Sequence, residues 1–193
     1  MTSEQPAAVP FPAPPLAGTG FVLRPLGESD YEAARASREH PETVEWVNAL
    51  PEADGERLIR LVESRRRAGR LLHLAIADDE NGSYLGEILL FLRTPEAGEV
   101  GIGEIAYVVA PAARGHGFAT AAVRALSAWA FSELRLERLQ LSIRPDNVGS
   151  RRVAEKAGYA YEGTLRSSKL IRGRRVDVAL YSLLPDDPSP PST

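Results

Sequence analysis

The stretch from Val100 to Glu133 constrains this chain more than any other. Val100–Ala110 is a mostly apolar run that reads as a strand, and Pro111 ends it because proline has no amide hydrogen for a ladder. A loop with Gly115 and Gly117 comes next, then Ala119, Ala122, Val123, Leu126 and Ala130 recur at helical spacing from about Gly117 to Glu133. A strand that feeds a helix with one apolar stripe calls for a helix layer on a sheet. The first amides of that helix have no internal partner, and the macrodipole adds partial positive charge there. The loop is therefore an anion site. Gly115 and Gly117 let the backbone approach a bulky diphosphate, Arg114 adds a forked cation and Thr120 a hydroxyl.

The flanking sequence supplies the rest of a mixed α/β domain. Gly20–Leu26 reads as a strand, and Ser29 and Asp30 cap a helix that runs to about Glu39. Glu56–Gly69 is a second helix, with Leu58, Leu61 and Val62 on one face. Leu71–Ala77 and Tyr84–Leu92 form strands joined through Asn81-Gly82, a hairpin dipeptide. Glu137–Ile143 is a strand, and Val148–Ala157 a helix closed by Gly158. Tyr159–Leu165 and Arg175–Leu183 end the domain as a hairpin turning near Gly173. Residues 1–18, dense in proline, are expected to be a disordered leader, and 185–193 a disordered tail.

Composition removes several function classes. With no cysteine, disulfides, thiolate metal sites and a cysteine nucleophile are excluded. His40, His73 and His116 have no metal-ligand spacing, so no metal is expected. A net charge of -3 gives no reason to expect nucleic acid or an anionic membrane as partner. No secretory signal and no spanning segment is visible, so a cytoplasmic location is expected. The anion loop lacks G-K-[ST] and the G-x-G-x-x-G spacing, which sets aside P-loop and dinucleotide folds.

Three segments in register carry a resemblance. Arg114-Gly-His-Gly117-Phe-Ala119 matches the R/Q-x-x-G-x-G/A loop of the GCN5-related N-acetyltransferases (GNAT). Gly103-Glu-Ile-Ala-Tyr-Val-Val-Ala-Pro111 resembles that family's central splayed strand, and Asn147-Val-Gly-Ser150 through Gly158-Tyr159 its second signature. Asp177-Val-Ala-Leu-Tyr181-Ser-Leu is similar to the branch that acetylates ribosomal-protein alanine N-termini, the RimJ/RimL-like branch. The likeness spans roughly residues 19–184. It implies the GNAT fold: a largely antiparallel sheet of six to seven strands, flanked by about four helices. A splay is expected between the strand ending near 110 and the strand 137–143.

The resemblance also implies a division of labour. Acetyl-CoA would be the cosubstrate, with its pyrophosphate on Arg114, Gly115, His116, Gly117, Phe118, Ala119 and Thr120. Pantetheine would pair with the backbone of Tyr107, Val108 and Val109, and with the Asn147 amide, which otherwise serves as a helix cap. Ser150 would protonate the departing thiolate; otherwise it is an exposed helical serine. Many members carry a tyrosine four residues after that serine, where this chain has Ala154. Glu104, a carboxylate in an otherwise apolar strand, is the candidate base. The amides of Val108 and Val109 would stabilise the oxyanion of a direct attack. Trp46 would border the acceptor or anchor its helix. Glu87, like Glu99, reads as salt-bridged or solvent-facing, although its central strand also makes it a candidate for the acceptor site. The acceptor would be a peptide N-terminus or a small amine, and the protein a monomer or homodimer. A catalytically silent acyl-CoA-binding module with a sensing or scaffold role is the competing reading.

Overall fold

The computed structural model describes residues 7–48, 55–93 and 101–188. Val100, Glu99, the first six residues and the last five lie outside these. The elements in order are β1 (Leu16–Gly18), β2 (Phe21–Pro25), α1 (Tyr31–Glu39), α2 (Gly55–Arg67), β3 (Leu71–Ala77), β4 (Tyr84–Leu92), β5 (Ile102–Val109), α3 (Phe118–Glu133), β6 (Arg138–Ile143), α4 (Val148–Lys156), β7 (Ala160–Ile171) and β8 (Arg174–Leu183). They build one sheet in the order β1-β2-β3-β4-β5-β6-β8-β7. Among the described strand pairs only β5 and β6 run parallel.

Among the described residues the sheet has eight strands, against the six to seven expected. The extra strand is β1, which pairs with β2 from within the stretch read as a disordered leader. The rest of that stretch, from residue 7 on, also packs. Val9 is buried, exchanges bonds with Arg66 through its N–H (3.0 Å) and its carbonyl (2.5 Å), and Phe11 lies under the Arg66 guanidinium. Prolines block ladders but not packing, so apolar residues set between them can still dock on α2. The last hairpin is likewise longer than expected: β7 starts at Ala160 and continues to Ile171, with irregular register at Tyr161/Gly163 and Leu165/Lys169.

The feature that shapes the site is a loss of pairing. β5 pairs with β4 along Gly103–Val109. On its other flank it pairs with β6 only through Ile102↔Arg138, Gly103↔Leu139 and Glu104↔Gln140. Beyond Glu104 the two strands part, while β6 continues with β8 from Leu139 to Ile143. Gly103 sits at the vertex. A Cβ there would come within 2.8 Å of Leu136 and Leu139 and 2.7 Å of Leu90, so only glycine lets those side chains close over the junction. Above it Ala122, Val123, Leu126 and Ala130 of α3 are buried against Ile105, Leu139 and Leu141.

Below the sheet runs a buried polar row. Glu87 in β4 is fully buried; its Oε1 accepts from Arg38 Nε of α1 (2.5 Å), and its Oε2 lies 2.7 Å from His73 Nε2 of β3. Burial alone would push this carboxyl up, yet the His73 hydrogen bond and the Arg38 charge hold it below its ordinary value. A carboxyl lowered by folding stabilises above its unfolded pKa, and that contribution is lost as pH falls through the folded value. Glu87→Ala should therefore cost about 3–5 kcal/mol at neutral pH, since it leaves Arg38 unpaired. Urea denaturation should show the deficit shrinking on the acid side; an equal deficit at both pH values would refute the account.

Candidate active site

The parted strands open a cavity of about 820 Å³. Its wall includes β5 from Glu104 to Val109, the α3 entrance loop, the start of α4 and part of β7. Because β5 has no partner on its β6 flank beyond Glu104, its backbone polar groups there face the gap. An extended ligand with amides can pair with them as an added strand would.

At the wide end, Pro111–Ala113 makes one short turn and Arg114–Gly117 swing the chain into α3. Gly115 and Gly117 both have φ of 81°, in the left-handed region. A Cβ at either would meet nothing within 4 Å, so conformation and ligand approach, not protein packing, call for glycine here. No side chain caps the α3 N-terminus, which leaves its first amides for an anion. Phe118 anchors the turn edge-on against Phe21 at 6.0 Å, and the His116 ring stacks on Phe118 at 5.8 Å.

Arg114 is placed differently from a free anion-binding arginine. Its guanidinium donates to Glu42 Oε2 (2.7 Å), Thr43 Oγ1 (2.5 Å) and the Val109 carbonyl (3.3 Å). It clamps the loop to the segment after α1. That segment also crosses to the far wall. Asn48 bonds Leu170 and Arg172 of the β7–β8 hairpin, Arg172 Nε donates to Val47 O, and Arg144 lies over the Trp46 ring while donating to the Glu45 carbonyl. Trp46 thus lines the cavity from this bridge and is not part of the apolar core. Glu87 is not on the cavity wall; it holds Arg38, which is.

At the start of α4, both readings of Asn147 hold together. Its Oδ1 caps the helix by accepting from Ser150 N at 3.0 Å, and its amide NH2 remains a donor at the cavity wall. Ser150 lines the cavity, and Tyr107 Oη donates to its carbonyl at 3.4 Å. Burial pushes the Tyr107 phenol up to about 12, so it is a protonated donor at neutral pH. Ala154 is fully buried in the core. Tyr181 fixes α4 from β8: its hydroxyl accepts from Arg151 Nε (3.0 Å) and donates to Glu155 Oε1 (3.3 Å).

Glu104 stands at the vertex, on the cavity wall and 26% exposed. Its Oε2 accepts from Gln140 Nε2 at 3.3 Å, and its Oε1 is paired with the Lys169 ammonium. Lys169, Gln140, Arg38 and the phenol of Tyr107 are site groups that sequence reasoning passed over. The only signal for Lys169 was compositional: it is one of two lysines in the chain.

A strand splayed from its parallel neighbour beside a glycine-built anion cradle defines an acyl-CoA-dependent transferase fold. The family model for the acetyltransferase (GNAT) domain matches residues 21–160, and the chain belongs to that family. It is 31% identical to the probable N-acetyltransferase YjcK of Bacillus subtilis, over 89% of this chain and 98% of that one. Its fold is similar to RimJ of Mycobacterium smegmatis, solved in complex with CoA-disulfide (TM-score 0.75, 25% identity, 86% and 82% of the two chains). It also resembles the spermidine N-acetyltransferase of Vibrio cholerae in complex with CoA and spermine (TM-score 0.72, 19% identity, 88% and 98%). The protein is a GNAT acetyltransferase. No helix among the described residues is long and apolar enough to cross a membrane, and no group of three or more metal-binding side chains occurs among them.

Replacing Gly117 with leucine should abolish CoA binding in calorimetry. The left-handed φ adds a stability cost of about 1–2 kcal/mol. Unchanged affinity would sink the cradle assignment.

Proposed function

We propose that this enzyme transfers the acetyl group of acetyl-CoA directly to a primary amine, a protein N-terminal amine before a polyamine. The observation that carries the reading is the convergence of the open β5 flank, the α3 cradle and Glu104 on one cavity. The cofactor's pyrophosphate would rest on the amides from Gly115 to Thr120, with Arg114 keeping the loop in place. Its pantetheine arm would pair with Tyr107, Val108 and Val109 and receive the Asn147 amide. The thioester then reaches the vertex.

Glu104 takes a proton from the acceptor ammonium, directly or through water, and the neutral amine attacks the thioester carbonyl. The Val109 amide, on the open flank of β5, would face the developing oxyanion, since the Val108 amide points to β4. CoA leaves as a thiolate and is protonated by Ser150 or Tyr107, which both line the cavity. A protein N-terminus is favoured because the carboxylates in the acceptor half are already matched with cations. Glu104 pairs with Lys169 and Glu42 with Arg114, which leaves a polycation little unpaired negative charge. The likeness of the closing strand to the ribosomal-protein branch supports the same acceptor.

Glu104→Gln should lower kcat at neutral pH by about 100-fold while sparing CoA affinity. Unchanged turnover would place the base elsewhere. Tyr107→Phe and Ser150→Ala, compared in the same CoA-release assay with alanine-initiated peptides and polyamines, would separate the two proton donors. The donor is the residue whose loss lowers kcat without raising KM for acetyl-CoA. Thermal shift should respond to CoA and not to ATP or NAD, because a ligand selective for the native state raises Tm.

A further inference from the structure

Of the chain's 23 cationic side chains only two are lysines, Lys156 and Lys169, and both line the active-site cavity. Lys169 is the one that touches the candidate base. It lies in β7 directly after the register irregularity between Leu165 and Lys169. There Ser167 takes a left-handed φ of 51° and its N–H donates to Asp177 Oδ1 at 2.8 Å. A bulge shifts the side-chain alternation and re-aims the side chains beyond it. Here it brings the Lys169 ammonium onto Glu104 Oε1, while Gln140 holds Oε2. A lysine on an edge strand also discourages strand addition, but that role needs no carboxylate across a cavity.

We propose that Lys169 is a self-acetylation site, a primary amine built into the position that the acceptor amine takes during turnover. The inference rests on the acetyltransferase reading of this cavity. Lys169 presents what the reaction requires: an ammonium already hydrogen-bonded to the base, at the vertex that the thioester reaches. Glu104 accepts one proton from the ammonium. The freed Nζ lone pair forms the C–N bond to the acetyl carbonyl carbon, the C–S bond breaks, and CoA leaves as a thiolate. The second nitrogen proton is lost as the amide forms and the thiolate is protonated. One ammonium and one acetyl-CoA thus give one acetamide, one CoA thiol and one released proton. The modified side chain carries no charge and no longer competes with an incoming ammonium for Glu104.

The test is incubation of the full-length protein with trideuterated acetyl-CoA and no acceptor, read by intact mass and by peptide mapping. The expected result is a single label on Lys169. It should be lost completely in Lys169→Arg, slowed about 100-fold in Glu104→Gln, and abolished in Gly117→Leu. Label on Lys156 or the terminal amine instead, or label on Lys169 that persists in Gly117→Leu, would overturn the proposal, the last as unassisted surface chemistry. So would no label on a protein whose Tm rises with CoA. A protein with no CoA response would instead fail the functional reading on which the proposal stands.

Discussion

The site exists because β5 keeps its parallel partner for only three residue pairs. Backbone amides and carbonyls demand partners, and a strand inside a sheet normally finds them on both flanks. From Ile105 to Val109, β5 finds them only on the β4 side. β6 cannot follow it, because β6 is held from Leu139 to Ile143 by the antiparallel ladder with β8. The open flank is tolerable because it borders a cavity and because an amide-bearing cofactor can complete it. Cofactor binding as proposed would thus close an unfinished sheet.

The two sides of that gap are tied together by side chains remote in sequence. Arg114, placed by the glycine turn before α3, grips Glu42 and Thr43, and the same segment reaches Arg144, Leu170 and Arg172 on the opposite wall. The glycine-bearing loop before α3 and the strap after α1 therefore share an anchor. Beneath them, the buried Arg38–Glu87–His73 row fixes one guanidinium on the cavity wall at the cost of burying a carboxylate. Such a row is stabilising only while complete, which is why removal of its central member is costly.

Much of the geometry of the turn into α3 was legible in the sequence because its determinants are local. A proline stop, two glycines with φ of 81° and an apolar helical stripe lie within one short segment, so their geometry is set by neighbouring residues. Asn147 was legible as a cap for the same reason. The leader was misread because proline density reports on ladders, and not on whether Val9 and Phe11 can find a helix to cover. Glu87 was read as paired or solvent-facing; it is paired and wholly buried, because its partners Arg38 and His73 sit on separate elements that only the fold juxtaposes.

By itself, then, the sequence determined the order of the elements from β2 onward, the glycine turn before α3 and the family to which the chain belongs, since each is written in short-range spacing. Tertiary structure decided what Glu104 faces. Its partners Gln140 and Lys169 lie 36 and 65 residues away, on β6 and on a bulged β7. It also decided that Arg114 clamps a strap and that the Tyr107 phenol meets Ser150. Those contacts depend on where strands part and bulge, and strand separation is set by the balance of ladders across the whole sheet.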